Sequence, residues 1–232
     1  MQWRVTIVGL LLSGAGLLSG AGIAQAAHDA EVTTYGPGLR SCTAFLAARE
    51  QESSDELNYV DWLDGYLTGI NTTSTRRNNI LGFSDVKAAM SRLDDYCRSS
   101  PQVHFAEAVG VFALGAHSAM GARSVEVTSY GSGYKTCAEY LATRDPQNTD
   151  QLDRMEFVDW LGGYLSGVNT ISLRTTNILG SSELTDALDW AEGYCSAHPA
   201  ASFGVAAEGL VAAKRQALPT ARLTPSTPGK AN

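Results

Sequence analysis

Two aspartates are the side chains of this chain best suited to acid–base chemistry. Asp61 and Asp159 each stand directly before a tryptophan, in a stretch with helical periodicity. Two carboxyls that share a cleft but differ in environment can act as proton donor and proton acceptor. The structural alternative is an exposed aspartate near the start of a helix, where the helix dipole favours negative charge. A sheltered pair would favour an exported enzyme, but we expect no catalytic role.

Motifs for other kinds of chemistry are not recognisable in the sequence. No serine lies in a Gly-x-Ser-x-Gly elbow, and no histidine recurs in a way that would supply a base. The Gly-x-Gly that follows Tyr35 and Tyr130 lacks the third glycine of a dinucleotide site, so it predicts a turn. The four cysteines include no Cys-x-x-Cys, and the four histidines share no ligand spacing. We therefore predict neither a metal nor a cofactor.

The chain contains the same pattern twice. Residues 35–105 recur at 130–203, with Tyr-Gly-x-Gly, one cysteine, Val-Asp-Trp-Leu-x-Gly-Tyr-Leu, Asn-Ile-Leu-Gly and Tyr-Cys in the same order. Cys42 corresponds to Cys137 at an offset of 95 residues, whereas Cys97 corresponds to Cys195 at an offset of 98. We interpret the chain as a tandem duplication and call the two copies repeat 1 and repeat 2.

The four cysteines of an exported chain allow three disulfide pairings. The duplication selects one of them, because a self-sufficient repeat must carry its own bridge. We therefore predict one bridge from Cys42 to Cys97 and a second from Cys137 to Cys195. Each would close a loop of about 55 residues, for which loop-closure entropy gives roughly 4 kcal/mol of stabilisation.

Residues 1–26 are typical of a secretory signal peptide. One basic residue, Arg4, precedes an apolar run, and small residues lead to a predicted cleavage site after Ala26. A retained membrane anchor is the alternative, but the glycines and the cleavage site favour removal. The mature chain then has 16 basic and 24 acidic residues, a net charge of −8, which disfavours nucleic acid as a partner. We predict a periplasmic or secreted protein with no membrane span after signal removal.

The predicted fold is all-α, with four helices in each repeat. We expect disulfide-stapled modules at residues 31–114 and 126–214, a linker at 115–125 and a disordered tail at 215–232. The Glu-Val-Thr pieces before Tyr35 and Tyr130 are β-prone and would form at most a short two-stranded ribbon. The helix starts expected from capping and proline signals, in repeat 1 and repeat 2 respectively, are Ser41 and Thr136, Glu56 and Arg154, Ser84 and Ser182, and Pro101 and Pro199.

Glycines four residues apart mark the second helix of each repeat. Glycine inside a helix is destabilising by about 1 kcal/mol relative to alanine. We therefore predict that another helix backbone crosses closely at these positions, with ligand binding as the alternative. The four glycines are Gly65 and Gly69 in repeat 1 and Gly163 and Gly167 in repeat 2.

The same helices carry a candidate binding surface. Tryptophan and tyrosine combine a large apolar area with a polar tip and are favoured in binding sites, although they are also ordinary core residues. The asparagines could instead end their helices, because asparagine tolerates the left-handed conformation. The candidates are Asp61, Trp62, Tyr66 and Asn71 with Asp159, Trp160, Tyr164 and Asn169.

Two families resemble a single repeat. Thr-Cys-Ala-Glu-Tyr-Leu at 136–141, Ser-Cys-Thr-Ala-Phe-Leu at 41–46, and a second cysteine followed by Pro and Phe resemble the periplasmic HdeA/HdeB acid-stress proteins. The Gly-Tyr-Leu-x-Gly helix and the terminal Tyr-Cys are similar to helical immunity proteins against type VI secretion amidases. The resemblance implies a helical fold, one disulfide per module and a periplasmic location. Both families are typically single modules, whereas this chain has two.

Three functions follow as hypotheses. The first is a non-catalytic periplasmic binding protein of the HdeA-like chaperone type, whose partner is a client protein. The second is an immunity protein that inhibits a secreted effector. The third is an exported enzyme that uses Asp61 and Asp159. A structural envelope component is a further alternative: open aromatics would favour binding, whereas fully buried aromatics would leave only such a scaffold.

Overall fold

The computed structural model describes residues 31–51, 53–74, 79–82, 84–119, 127–148 and 150–218. Within these residues the chain forms eight α-helices and no strand, which confirms the all-α prediction. The predicted signal peptide and most of the predicted tail lie outside the described residues. The helices are α1 (Cys42–Glu50), α2 (Ser54–Thr73), α3 (Val86–Ser99), α4 (Phe105–Ala119), α5 (Cys137–Thr143), α6 (Gln151–Ile171), α7 (Leu184–Ala197) and α8 (Phe203–Ala217).

The first helix of each repeat begins at its predicted cap. Ser41 Oγ accepts a hydrogen bond from the Ala44 N–H at 3.2 Å. In repeat 2, Thr136 and Glu139 form a reciprocal capping box, in which each side chain accepts from the other residue's backbone N–H.

The third helix of each repeat begins one residue later than predicted. Asp85, and not Ser84, caps α3, since its carboxylate accepts from the Ala88 N–H at 2.7 Å and places negative charge at the helix start. Glu183, and not Ser182, occupies the same position before α7.

The prolines predicted in the first turn of the fourth helix lie before it. The backbone there bonds to the start of the first helix: Thr43 N–H donates to Pro101 O at 3.0 Å, and Ala138 N–H donates to Pro199 O at 2.9 Å. These bonds hold the segment in a turn, so α4 and α8 begin four residues after the prolines, at Phe105 and Phe203.

Each repeat has its own disulfide and its own aromatic core. The bridges join Cys42 to Cys97 and Cys137 to Cys195, which confirms the predicted pairing of α1 with α3 and of α5 with α7. In both repeats three buried rings pack with centroids between 4.7 and 5.3 Å apart. These rings are Phe45, Tyr59 and Phe105 in repeat 1 and Tyr140, Phe157 and Phe203 in repeat 2.

The described helices of both repeats belong to one compact unit. At its centre α2 lies against α6. The fourth helices run past the predicted module ends, to Ala119 and Ala217, where alanine favours continuation of a helix. None of the described helices has the length and apolar character needed to cross a bilayer. Independent folding of either repeat stays a prediction.

Candidate functional site at the junction of the two repeats

The long helices α2 and α6 cross with their backbones in contact, and we call this region the junction. A Cβ atom at Gly65 would overlap the carbonyl oxygen of Trp160, and one at Gly163 would overlap the carbonyl oxygen of Trp62. The predicted close crossing is therefore confirmed, and its partner is the equivalent helix of the other repeat. The remaining two glycines make the same contact, Gly69 with Tyr164 and Gly167 with Tyr66.

The segments that precede the two repeats are exchanged across the junction. We call residues 31–35 arm 1 and residues 127–130 arm 2. In arm 1 the Tyr35 N–H donates to Ser166 Oγ at 3.0 Å, and the Tyr35 hydroxyl donates to Asn177 Oδ1 at 2.7 Å. Arm 2 makes the equivalent bonds through Tyr130, to Thr68 Oγ1 at 3.0 Å and Asn79 Oδ1 at 2.8 Å. The described residues of the two arms thus pack on the opposite repeat and not on each other, so the predicted ribbon does not form there.

Two candidate asparagines hold the arms in place. Asn169 Nδ2 donates to Thr33 O at 2.8 Å, and Asn169 Oδ1 accepts from the Ile178 N–H at 2.7 Å. Both asparagines are 1% exposed. They do not end their helices, which continue for two further residues. Asn71 makes the equivalent bonds, with Thr128 O and the Ile80 N–H, each at 2.8 Å.

The candidate aromatic side chains are buried at the junction. Trp62 and Trp160 are 0% exposed, and Tyr66 and Tyr164 are 1% exposed. The Trp62 indole N–H donates to Tyr35 O at 2.7 Å, directly beneath arm 1. Burial raises the pKa of Tyr66 to about 12. These four rings are therefore core residues, which is the outcome that favours a scaffold role for them, so a protein-binding surface would have to use other side chains.

Carboxyl groups from both long helices gather at the junction. Asp159 on α6 is 4% exposed, and Asp64 on α2 is 8% exposed. Asp61 is partly buried and interacts electrostatically with Asp64, Glu156 and Asp159. One carboxyl oxygen of Asp64 and one of Asp159 have no hydrogen-bond partner among the described residues. We call Asp61, Asp64, Glu156 and Asp159 the carboxyl cluster.

Burial favours the protonated form of three members of this cluster, and repulsion adds to this effect at Asp61 and Asp64. Burial, with the negative charge of Glu156 as the next cause, raises the pKa of Asp61 to about 8 and that of Asp64 to about 7. Burial raises the pKa of Asp159 to about 7, against the opposing effect of the Arg40 charge. Glu156, the fourth member, accepts hydrogen bonds from Lys135 at 2.5 Å and from the Ser132 hydroxyl at 2.6 Å.

The predicted Gly-x-Gly turns cover two of these carboxyls from the opposite repeat. Gly36 and Gly131 have φ values of 62° and 53°, in the region that favours glycine. A Cβ atom at Gly36 would lie 3.6 Å from Asp159 Oδ1, and one at Gly131 would press on the Asp64 carboxyl. The turns therefore limit access to these side chains from outside the junction.

Two cluster members were missed in the sequence because they are not repeated. Asp64 corresponds to Gly162, and Glu156 corresponds to Asn58. Of the four cluster members, only Asp61 and Asp159 occupy equivalent positions in the two repeats. The signal that was available is helical spacing, since Asp61 and Asp64, and likewise Glu156 and Asp159, are three residues apart on one helix face.

The cluster has the chemistry to bind protons. Within the described part of the chain, no group of three or more histidine, cysteine, aspartate or glutamate side chains is arranged to hold a metal ion. The nearest cations are Arg40 and Lys135, one from each repeat. Asp61 and Asp159 do share a sheltered environment, which is the arrangement that would favour acid–base chemistry. The burial of Asp159 limits its contact with a substrate.

A second set of charges lies outside the junction. Arg49, at the end of α1, pairs with Asp94 on α3 at 2.8 Å and with Glu56 on α2. At the equivalent place in repeat 2, Arg144 bonds Glu192 on α7 through its Nε at 2.8 Å. We call these two arrangements the outer clamps. The sequence contains a signal for these clamps. Arg49 and Arg144 are 95 residues apart, and their partners Asp94 and Glu192 are 98 residues apart, which are the same offsets that relate the cysteines of the two repeats.

Exposed apolar side chains also recur at equivalent positions. Leu39 and Tyr134, in the two Gly-x-Gly turns, are 55% and 65% exposed. We call the three equivalent pairs the matched apolar set. The set is Leu39 with Tyr134, Leu57 with Met155, and Val32 with Val127.

Comparison with known proteins finds no matching family model, no matching curated protein and no matching solved structure. The resemblance of each repeat to HdeA/HdeB or to amidase immunity proteins therefore stays a prediction.

Proposed function

We propose that the mature chain is a non-catalytic periplasmic protein that binds other proteins under acid stress, in the manner of HdeA-like chaperones. The observation that carries this proposal is the matched apolar set. The repeats differ at these positions, for example as leucine at 39 and tyrosine at 134, yet both keep an exposed apolar side chain. Exposed apolar side chains mark protein-binding sites when they form one contiguous patch, which is the arrangement that this proposal requires of the set.

The outer clamps support a response to acid. Arg49 and Arg144 hold the first helix of each repeat through carboxylates, and protonation of those carboxylates ends the ion pairs. Partly exposed pairs of this kind contribute about 1 kcal/mol or less each. Acid also changes the net charge of the mature chain from −8 to about +21, counting the basic residues, the histidines and the amino terminus. This self-repulsion loosens peripheral helices and exposes further apolar surface.

The disulfides are compatible with this proposal. They keep α1 joined to α3 and α5 joined to α7 when the clamps open. Bridges of this kind persist in the oxidising periplasm and in secreted proteins. A partly opened repeat would therefore present a limited apolar surface without losing its chain topology.

The test is suppression of client aggregation. The oxidised mature chain is mixed with an aggregation-prone client at about pH 2 to 3, and light scattering is followed. We expect the wild type to suppress aggregation and the Leu39→Ser/Tyr134→Ser variant to lose most of this effect. Leu173→Ser is the control, because Leu173 is fully exposed but corresponds to a threonine in repeat 1. Unchanged client aggregation with the wild type would remove the proposal.

A second candidate is an exported enzyme that uses Asp61 and Asp159. One observation favours it, the shared environment of these carboxyls and their raised pKa values. Carboxyl pairs of this type hydrolyse glycosidic bonds, so the substrate to test is purified peptidoglycan. Release of soluble fragments by the wild type, and its loss in Asp61→Asn, would replace the binding proposal with the enzyme.

A further inference from the structure

We propose that the carboxyl cluster is a proton-operated lock, in which proton uptake by Asp61, Asp64 and Asp159 strengthens the packing of α2 against α6 and proton loss weakens it. The lock is a property of the folded chain and does not rest on client binding. It acts on the junction, whereas the acid response described above acts on the outer clamps.

The carboxyl cluster lies in a position where a negative charge is unfavourable. The cluster lies where two helix backbones touch and where the turns at Gly36 and Gly131 lie close over the buried carboxyls of Asp159 and Asp64. A charged carboxylate there would lose its hydration without gaining a partner, because Asp64 and Asp159 each keep one buried oxygen without a hydrogen bond among the described residues. Protonation removes the charge and with it most of this penalty.

The surrounding charges add to the effect of burial at Asp61 and Asp64. From α6, Glu156 and Asp159 face Asp61, and Asp64 lies one turn farther along α2. Lys135 is the cation that opposes the repulsion at Asp61, but it is already bonded to Glu156.

Two further groups border the cluster from the segments around the Gly-x-Gly turns. Arg40 opposes the shift at Asp159, and the phenol of Tyr130 interacts with Asp64. Negative charge therefore predominates at the junction when all the carboxyls are ionised.

The sign of the pH dependence follows from the raised pKa values. The ordinary aspartate pKa is 3.8, whereas Asp61 has a pKa of about 8 and Asp64 and Asp159 have pKa values of about 7. Between these limits the folded chain binds more protons than the unfolded chain. Stability from the cluster is fully present below pH 3.8 and is lost as the pH rises through 7 and 8. The packing of α2 against α6 is therefore most stable in acid.

The first test compares unfolding of the oxidised full chain at pH 5 and pH 8.5. For the wild type we expect the unfolding equilibrium constant to rise by roughly tenfold or more over this range. The variant Asp64→Asn/Asp159→Asn carries neutral isosteres of two protonated groups, so its rise should be smaller than that of the wild type, with Asp61 supplying the remainder, and its stability should exceed the wild type at pH 8.5. Asp95→Asn is the control, since Asp95 is exposed on α3, and it should keep the wild-type dependence. An equal dependence in all three chains overturns the lock.

The second test needs no variant. Calorimetric unfolding of the wild type at pH 6, in buffers of different ionisation enthalpy, counts the protons exchanged. We expect the chain to release more than one proton on unfolding, because the folded cluster holds protons that the unfolded chain gives up. Zero release, or net uptake, overturns the lock even if the double variant fails to fold. Neither result depends on client aggregation, so failure of the lock and failure of the proposed function remain distinguishable.

Discussion

The junction and the outer clamps both use carboxyl groups, but they place them in opposite settings. At an outer clamp, Asp94 meets the guanidinium of Arg49 at 2.8 Å on a partly exposed surface. At the junction, Asp159 is buried beside other acids and has one oxygen without a hydrogen bond among the described residues. A clamp therefore needs its carboxylate charged, whereas the junction favours a neutral carboxyl. The comparison shows that the neighbours of an aspartate decide how acid acts on it.

The largest expected loss of stability comes from removing the disulfide that joins the same two helices as an outer clamp. Replacing Cys42 and Cys97 with alanine should lower the free energy of unfolding by about 4 kcal/mol, because the bridge closes a loop of 55 residues. Urea denaturation measures this loss. The variant with Cys137 and Cys195 replaced is the matched comparison, and its loss should be similar because its loop spans 58 residues. Peptide mapping that found a crosslink between the repeats would contradict the basis of this prediction.

The next effect concerns the junction. Gly163→Ala should destabilise the chain by about 3 kcal/mol, because the added Cβ overlaps the Trp62 carbonyl oxygen and forces the helices apart. Gly193→Ala is the control, since Gly193 lies on α7 with open space around its Cβ position. That control should stabilise the chain by about 0.5 to 1 kcal/mol through its helix preference. Equal melting temperatures for the two variants would show that α2 and α6 do not touch in solution.

The smallest effect concerns the ion pairs of the clamps. Arg49→Met should lower the free energy of unfolding by about 1 kcal/mol at pH 7 and by less at pH 3, because an ion pair needs both charges and acid neutralises carboxylates. Arg98→Met is the control, because Arg98 forms an exposed pair with Glu50 at 3.5 Å, and it should change stability little at either pH. An Arg49→Met loss that persists undiminished at pH 3 would mean that packing, and not charge, holds the clamp.

The sequence was sufficient for much of the fold because its signals are local or repeated. The duplication selected the disulfide pairing, capping residues marked Ser41 and Thr136, and the glycines of α2 predicted a close crossing. Each of these features depends on residue type and spacing within one repeat.

The contacts between repeats were not predictable in the same way. The spacing of Gly65 and Gly69 predicts that another backbone packs closely there, but it does not identify that backbone. The sequence left open whether Trp62 is a core or a surface residue, because the ring is covered by Tyr35 and the Gly-x-Gly turn that follows it, and their position depends on contacts with the other repeat. The carboxyl cluster combines Asp64 and Glu156, which have no counterpart in the other repeat, so only the three-dimensional arrangement reveals it.

The exchange of the arms has a consequence for the order of folding during synthesis. Arm 1 lies at residues 31–35, yet Tyr35 bonds to Ser166 and Asn177, which are 131 and 142 positions later in the chain. Contacts between such distant positions form slowly, because a long loop must close first. Arm 1 can therefore reach its final position only after the residues up to Asn177 have left the ribosome. A nascent chain that stalls after repeat 1 would carry an unseated leading segment and an empty groove on α2.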